Sequence, residues 1–378
     1  MPASSPASIS TPAPRSRPRR RALVSPTSLR CRRNPLRTTR RRATAAQHCR
    51  NWGTIPPPPP SATLPSNRRR TSACCRGPLK HPMPGEQACE LTCPAKLNLA
   101  LSVGAVNDDG LHPIASWMVA LAFGDVLRLS LPDDGRTRFD IAFKNDPVGA
   151  RVNWPLEDDL AFRARSLLSD RTGSDLPVVA QIRKRIPPGS GLGGGSSNAA
   201  AMLVGLNRLH GTRIDPEDLV ALSSELGSDV AFLTRAVLGA AAAVVTDVGQ
   251  TVHPLPAREP IHLVLIFPPF ACSTKSVYEA FDVIHERAEV DEARVRALAA
   301  KPALDPTDPF NDLGPAAEQV EARLAAMRRR LEADLDHPVH VSGSGSTLYL
   351  VAAPGSAATN LARRVQATGH AAIVTRTI

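Results

Sequence analysis

Nine consecutive residues, Gly189-Ser190-Gly191-Leu192-Gly193-Gly194-Gly195-Ser196-Ser197, hold five glycines and three serines directly behind Pro187-Pro188. Glycine leaves the backbone bare and able to take positive φ, so successive N–H groups of such a stretch can surround an anion. Ser196 and Ser197 add hydroxyls that donate to phosphate oxygens or ligate Mg²⁺. The flanks support this use. Val178–Ile186 reads as a strand running in, and Asn198–Leu209 as a helix running out, with Met202, Leu203, Leu206 and Leu209 as its apolar stripe. A helix N-terminus contributes further free N–H groups and the positive end of a dipole. A plain Gly-Ser linker has no reason to be bounded in that way. A P-loop is excluded, because Lys followed by Ser or Thr is missing after the last glycine. Gly189, Gly191 and Gly194 satisfy GxGxxG. However, Pro187-Pro188 precedes them and the acid at suitable distance, Glu217, sits at a helix start, so a dinucleotide fingerprint is not the reading either.

Two more places carry chemistry. In the alternating stretch Leu91–Val103, Lys96 and Asn98 are two apart and so project to one side, while Leu91, Cys93, Ala95, Leu97, Leu99, Leu101 and Val103 form the apolar face. Asp229 stands just after Gly227, where a helix of Asp215 (cap), Pro216, Glu217 and Asp218 ends. Taken singly, Lys96 is a snorkelling surface lysine and Asp229 a turn residue.

The elements around them are mixed. Asn107-Asp108-Asp109-Gly110 is a turn, followed by an apolar run through Phe123. Val126–Leu131 and Phe139–Phe143 read as strands and Leu160–Leu168 as a helix. Beyond a Pro-bounded seam near Pro254–Pro260 come strand His262–Phe267 and helices Val290–Ala300 and Gly314–Ala333. Strands Val339–Val341 and Thr347–Val351 follow, joined by Ser342-Gly343-Ser344-Gly345-Ser346. Strict βα alternation is absent, so the fold class expected is α+β.

The net charge of +11 is unevenly distributed. Residues 1–82 carry 17 Arg, one Lys and no acid, which leaves 28 basic against 35 acidic residues, −7, for the remainder. The nucleic-acid reading of a basic chain therefore applies at most to the leader. Rich in Pro, Ser and Arg, residues 1–82 are expected to be disordered, with Met83 as the favoured start; a transit peptide or a nucleic-acid-binding tail is the alternative. The seven cysteines contain no CxxC pair and an odd count, so reduced thiols are expected. No apolar run reaches the roughly 20 residues of a membrane helix.

Four segments together resemble the GHMP kinases: Pro94-Ala95-Lys96-Leu97-Asn98-Leu99, Pro187–Ser197, Leu226-Gly227-Ser228-Asp229-Val230 and Ser342–Ser346. Asp109-Gly110-Leu111-His112, Ser273-Thr274 with Val277-Tyr278, and Asn311-Asp312-Leu313 are similar to the branch that phosphorylates the 2-hydroxyl of a cytidine-diphosphate-linked methylerythritol in isoprenoid precursor synthesis. The resemblance spans Cys89 to the C-terminus. It implies a two-lobed fold, with an ATP-binding domain over 83–255, a C-terminal domain over 256–378 and the site in the cleft between them. ATP would lie on Pro187, Gly189, Ser190, Gly191, Leu192, Gly193, Gly194, Gly195, Ser196 and Ser197, with Mg²⁺ carried by ATP and within reach of Ser197. Asp229 would take the proton of the attacking hydroxyl, and Lys96 would keep Asp229 ionised and steady the developing charge. Asn98, His112 and Tyr278 would bind the acceptor, with the cytosine near the last two. Leu111 stands where the family has a stacking Tyr, and Asn198 in place of an acid. The implied partner is a small molecule, with no nucleic acid for the body and no membrane, in the cytoplasm or, with a transit peptide, a plastid. A GHMP kinase for homoserine, mevalonate or a sugar, and a catalytically silent GHMP-fold binding protein, are the competing readings.

Overall fold

The computed structural model describes residues 88–144, 148–285 and 288–378. The expectations for residues 1–82 and for the start at Met83 lie outside these residues. In chain order the strands are β1 (Ala88–Val103), β2 (Ile114–Ser130), β3 (Arg138–Phe143), β4 (Val179–Lys184), β5 (Ala242–Thr246), β6 (Thr251–Pro254), β7 (His262–Phe267), β8 (Phe310–Asn311), β9 (His340–Val341), β10 (Leu348–Ala352) and β11 (Ala371–Arg376). The helices are α1 (Leu160–Thr172), α2 (Gly194–Leu209), α3 (Pro216–Ser223), α4 (Ser228–Leu238), α5 (Thr274–Ile284), α6 (Glu292–Ala299), α7 (Gly314–Val320), α8 (Ala322–Leu335) and α9 (Ser356–Ala367).

Two sheets result, one in the order β3-β4-β2-β1-β8 with β5 on β2 and β6 on β5, the other β11-β7-β10-β9. One face of the first sheet packs on α1, α2 and α4 through Leu91, Met118, Leu203 and Phe232. Its other face meets the second sheet, where Leu97, Trp117 and Val119 interleave with Leu263, Leu265, Tyr349 and Val351. The outer face of the second sheet is covered by α7, α8 and α9. The class is α+β, as expected, and β8 returns from the C-terminal stretch to pair in parallel with β1 at Ala100 and Leu101.

The single apolar face expected for β1 is corrected. The register with β2 slips between Pro94 and Lys96 and again between Asn98 and Ala100. Each bulge turns the strand over. Leu91 and Cys93 therefore face the helices, Ala95, Leu97 and Leu99 face the second sheet, and Leu101 and Val103 face the helices again. Lys96 and Asn98 lie in the middle segment and so point toward the helix layer. β2 is one continuous strand where two were expected. The helix expected over Gly314–Ala333 is two, broken at Glu321, whose side chain accepts from Arg323 N at the start of the second.

Candidate functional site

Gly193 sets the geometry. Its φ of +69° turns the chain out of the glycine-rich segment into α2, which begins at Gly194. Gly194, Gly195, Ser196 and Ser197 are thus the first helical turn rather than loop, which corrects the expected helix start at Asn198. The first intrahelical bond runs from Ser197 N to Gly193 O (2.8 Å). The N–H groups ahead of it have no carbonyl one turn back to bond, which is what an anion site requires. A cavity of about 510 Å³ opens there, lined by Lys96, Ser190, Gly194, Ser196 and Asp229 among others.

The loop lies hard against its neighbours. A Cβ on Gly193 would sit 2.9 Å from Lys96 Cγ and 3.7 Å from Asp229 Oδ2. One on Gly191 would meet the carbonyls of Ser342 and Gly345 at 2.7 and 2.8 Å. Backbone bonds tie the same parts together, Lys96 N donating to Leu192 O (2.9 Å) and Thr347 N to Ser190 O (3.2 Å). Asn311 Nδ2 donates to Val341 O (2.9 Å) and Gly343 O (2.7 Å), clamping the 342–346 loop over Lys96 and Asn98. Asn311, Gly191 and Gly343 thereby gain physical roles as spacers and clamps.

Lys96, Asn98 and Asp229, drawn from β1 and α4, are brought together in the structure. Lys96 Nζ lies 3.4 Å from Asp229 Oδ2 and donates to Asn98 Oδ1 at 2.8 Å. Asn98 Nδ2 donates to Ser116 Oγ (2.8 Å), and Ser116 to Ala100 O (2.7 Å). Lys96 is buried, while the Asp229 side chain is 28% exposed toward the cavity. The stretch around Asp229, read from sequence as a turn, is the first turn of α4.

His112 and Tyr278 are also brought together, their rings 4.7 Å apart, but His112 lines a neighbouring cavity of about 430 Å³ rather than the first. Tyr278 and Ser228 line both, so the two cavities adjoin. Burial, and after it the negative charge of Asp229, pushes the Tyr278 phenol up to about 12. Leu111 is half-exposed on the rim of the second cavity.

A second cation belongs to the site that the sequence does not single out. Lys184, at the end of β4, lines the first cavity while almost fully buried. Its Nζ donates to Asp125 Oδ2 (3.1 Å) and to Asn198 Oδ1. The same carboxylate accepts from Arg185 N (2.6 Å), Ile186 N (2.8 Å) and Asn198 Nδ2 (3.0 Å). One fully buried acid thus pins the entry of the glycine-rich loop, the start of α2 and Lys184. Burial, with the Asp125 charge behind it, pushes the neighbouring Cys93 thiol up to about 12. The thiol is inert in this position.

Among the described residues no cluster of three or more His, Cys, Asp or Glu could hold a metal ion. Ser197 Oγ is buried without a hydrogen-bond partner in the first turn of α2. No helix among the described residues is long and apolar enough to cross a membrane.

A glycine-bounded helix start, two lysines and an acid in one cleft of a two-sheet α+β body define a GHMP-type fold, and residues 159–245 match the family described as GHMP kinases N terminal domain. A solved 4-(cytidine 5'-diphospho)-2C-methyl-D-erythritol kinase is 31% identical, with a TM-score of 0.61 over 77% of this chain and 100% of that one. The 4-diphosphocytidyl-2-C-methyl-D-erythritol kinase of Moorella thermoacetica is 34% identical over 295 residues, 76% of this chain and 99% of the relative. The chloroplastic kinase of the same name from Oryza sativa subsp. japonica is 33% identical over 273 residues. That match takes in 70% of this chain but 64% of the relative, so the chain spans slightly less than two thirds of its length. The chain belongs to the 4-diphosphocytidyl-2-C-methyl-D-erythritol kinase family.

Proposed function

We propose that the protein transfers the terminal phosphoryl group of ATP to the 2-hydroxyl of 4-diphosphocytidyl-2-C-methyl-D-erythritol, a step of the non-mevalonate route to isoprenoid precursors. The observation that carries this reading is the Lys96–Asp229 pair, 3.4 Å apart and pressed against Gly193 at the mouth of α2. Polyphosphate lies along Gly189–Ser197 on the free N–H groups of α2. Lys184 and Trp154 line the same cavity. The methylerythritol moiety lies by Lys96, Asn98 and Asp229, and the cytosine in the adjoining cavity by His112 and Tyr278.

Phosphoryl transfer asks for in-line placement and charge neutralisation more than covalent help. Asp229, reachable from the cavity, accepts the proton of the attacking hydroxyl. Lys96 is held by Asn98 beside it and offsets the negative charge that gathers as the new bond forms. Mg²⁺ would be carried by the phosphates; the loop hydroxyl that lines the cavity beside them is that of Ser196, whereas Ser197 is fully buried and does not line it. When bound, the ion neutralises phosphate charge.

The test is ADP release by the full chain with ATP and the cytidylylated acceptor, beside a panel of homoserine, mevalonate and sugars. Asp229→Asn is expected to lower kcat by roughly 10²–10⁴-fold with KM little changed. Near-normal turnover by the folded variant removes the base role, and equal turnover of another alcohol removes the acceptor assignment.

A further inference from the structure

Asp282 has no part in the reaction just described, yet it is bonded to a residue that does. It lies one turn beyond Tyr278 on α5, so the two share a helix face. His112 Nε2 and Asp282 Oδ1 are 2.7 Å apart. Phe281 closes on the same imidazole edge-on, with centroids at 6.1 Å, and Tyr278 lies tilted 40° against it. The His112 side chain is only 11% exposed. Lys275 and Glu279, the other charged residues of α5 on this cavity, pair with each other at 3.8 Å and leave Asp282 to the histidine.

We infer that Asp282 is a positioning residue that fixes the tautomer of His112 and so lets the cavity favour cytosine over uracil; this rests on the cytidylyl reading above. An ionised carboxylate only accepts hydrogen bonds, so the proton of the contact sits on Nε2. In the neutral ring Nδ1 is then the acceptor. Cytosine carries an amino donor at C4, where uracil carries a carbonyl acceptor. A ring locked as an acceptor satisfies the first and sets its lone pair against the second. An asparagine at 282 can either donate or accept, which releases the lock.

The experiment uses the full chain and its Asp282→Asn and Asp282→Glu variants. ADP release is measured with the cytidylylated acceptor and with its uridylylated counterpart. The ¹⁵N shifts of the His112 ring are measured alongside, assigned by difference from His112→Gln. The unmodified chain is expected to show the Nε2–H tautomer. Asp282→Asn is expected to reduce the cytidylyl-over-uridylyl ratio of kcat/KM roughly tenfold, the worth of one hydrogen bond, through KM of the acceptor and not KM of ATP. Asp282→Glu should restore most of the ratio and the tautomer. A general loss of structure would move KM of ATP and the melting temperature as well. An unchanged ratio with unchanged ring shifts in Asp282→Asn overturns the inference. Absence of turnover on the cytidylylated acceptor by the unmodified chain overturns the functional reading and the base selection with it. The ring shifts still decide the tautomer in that case.

Discussion

Replacing Gly193 by alanine probes the packing that joins the glycine-rich turn to the Lys96–Asp229 pair. The added Cβ must adopt φ near +69°, in the left-handed region, and would lie 2.9 Å from Lys96 Cγ and 3.2 Å from Leu233 Cδ1. The backbone conformation costs an L-residue roughly 1–2 kcal/mol. Overpacking against a fixed neighbour costs roughly another 1–3 kcal/mol. Lys96 is such a neighbour, because it is buried and tied to both Asn98 and Asp229. The expected loss is therefore roughly 2–5 kcal/mol of stability, a large part of the roughly 5–15 kcal/mol typical of a folded protein. If Lys96 yields instead, it moves out of line with the transferring group, and kcat falls roughly 10²-fold for a displacement near 1 Å. Urea unfolding and steady-state ADP release measure the two outcomes. Gly195→Ala is the matched control. Gly195 does not have a left-handed φ, and its Cβ would meet only Leu160 Cδ1 at an ordinary 3.5 Å. That variant should hold its stability or gain about 0.5 kcal/mol. An unfolding midpoint and kcat equal to those of the unmodified chain in Gly193→Ala would refute the packing argument.

Asp125→Asn removes the charge that balances buried Lys184 and replaces an acceptor of four bonds with a group that also donates. A drop of roughly 3–5 kcal/mol in urea unfolding is expected, with a raised KM for ATP as the loop entry loosens; an unchanged midpoint would show that Lys184 finds another partner. The chain has two tyrosines, and burial raises the phenol pKa of both, Tyr278 to about 12 and Tyr349 further. Both are neutral below the unfolded value near 10. As pH rises above it, unfolded chains ionise first, so stability is lost from about pH 10 upward through 12. Ultraviolet titration of the native protein should show no phenolate near pH 10, and a phenol titrating there contradicts the burial of one of the two tyrosines.

Composition made the glycine-rich turn legible, since few sequences place five glycines between a strand and an Ala/Leu helix. Its boundary was less so, because glycine and serine have weak helix preference and only the Gly193 conformation shows that the helix begins at Gly194. The Lys96/Asn98 pairing could be read from spacing alone because no bulge falls between those two residues. The bulges on either side leave no mark in the pattern of apolar residues. Asp229 was identifiable as chemistry but not as helix, since Gly-Ser-Asp reads equally as turn or cap. The helix Thr274–Ile284 is announced by its cap, Ser273, whose hydroxyl accepts from Ser276 N, and by Val277 and Phe281, four apart on its buried face. Asp125 and Lys184 were not legible at all. Each looks like an ordinary charge at a strand end, and their complete burial depends on α2 closing over them. Asp282 is equally silent, because its partner lies 170 residues away.

The double reversal of β1 bears on how this chain tolerates length change. A one-residue insertion or deletion in most strands turns over everything beyond it. Directly after Lys96 it would invert the short stretch up to the next bulge, carrying Asn98 into the hydrocarbon between the sheets and lifting Leu97 into the phosphate cleft. The two bulges can absorb a misfit outside that window and none within it, so natural length variants of this family should be confined to the strand's ends.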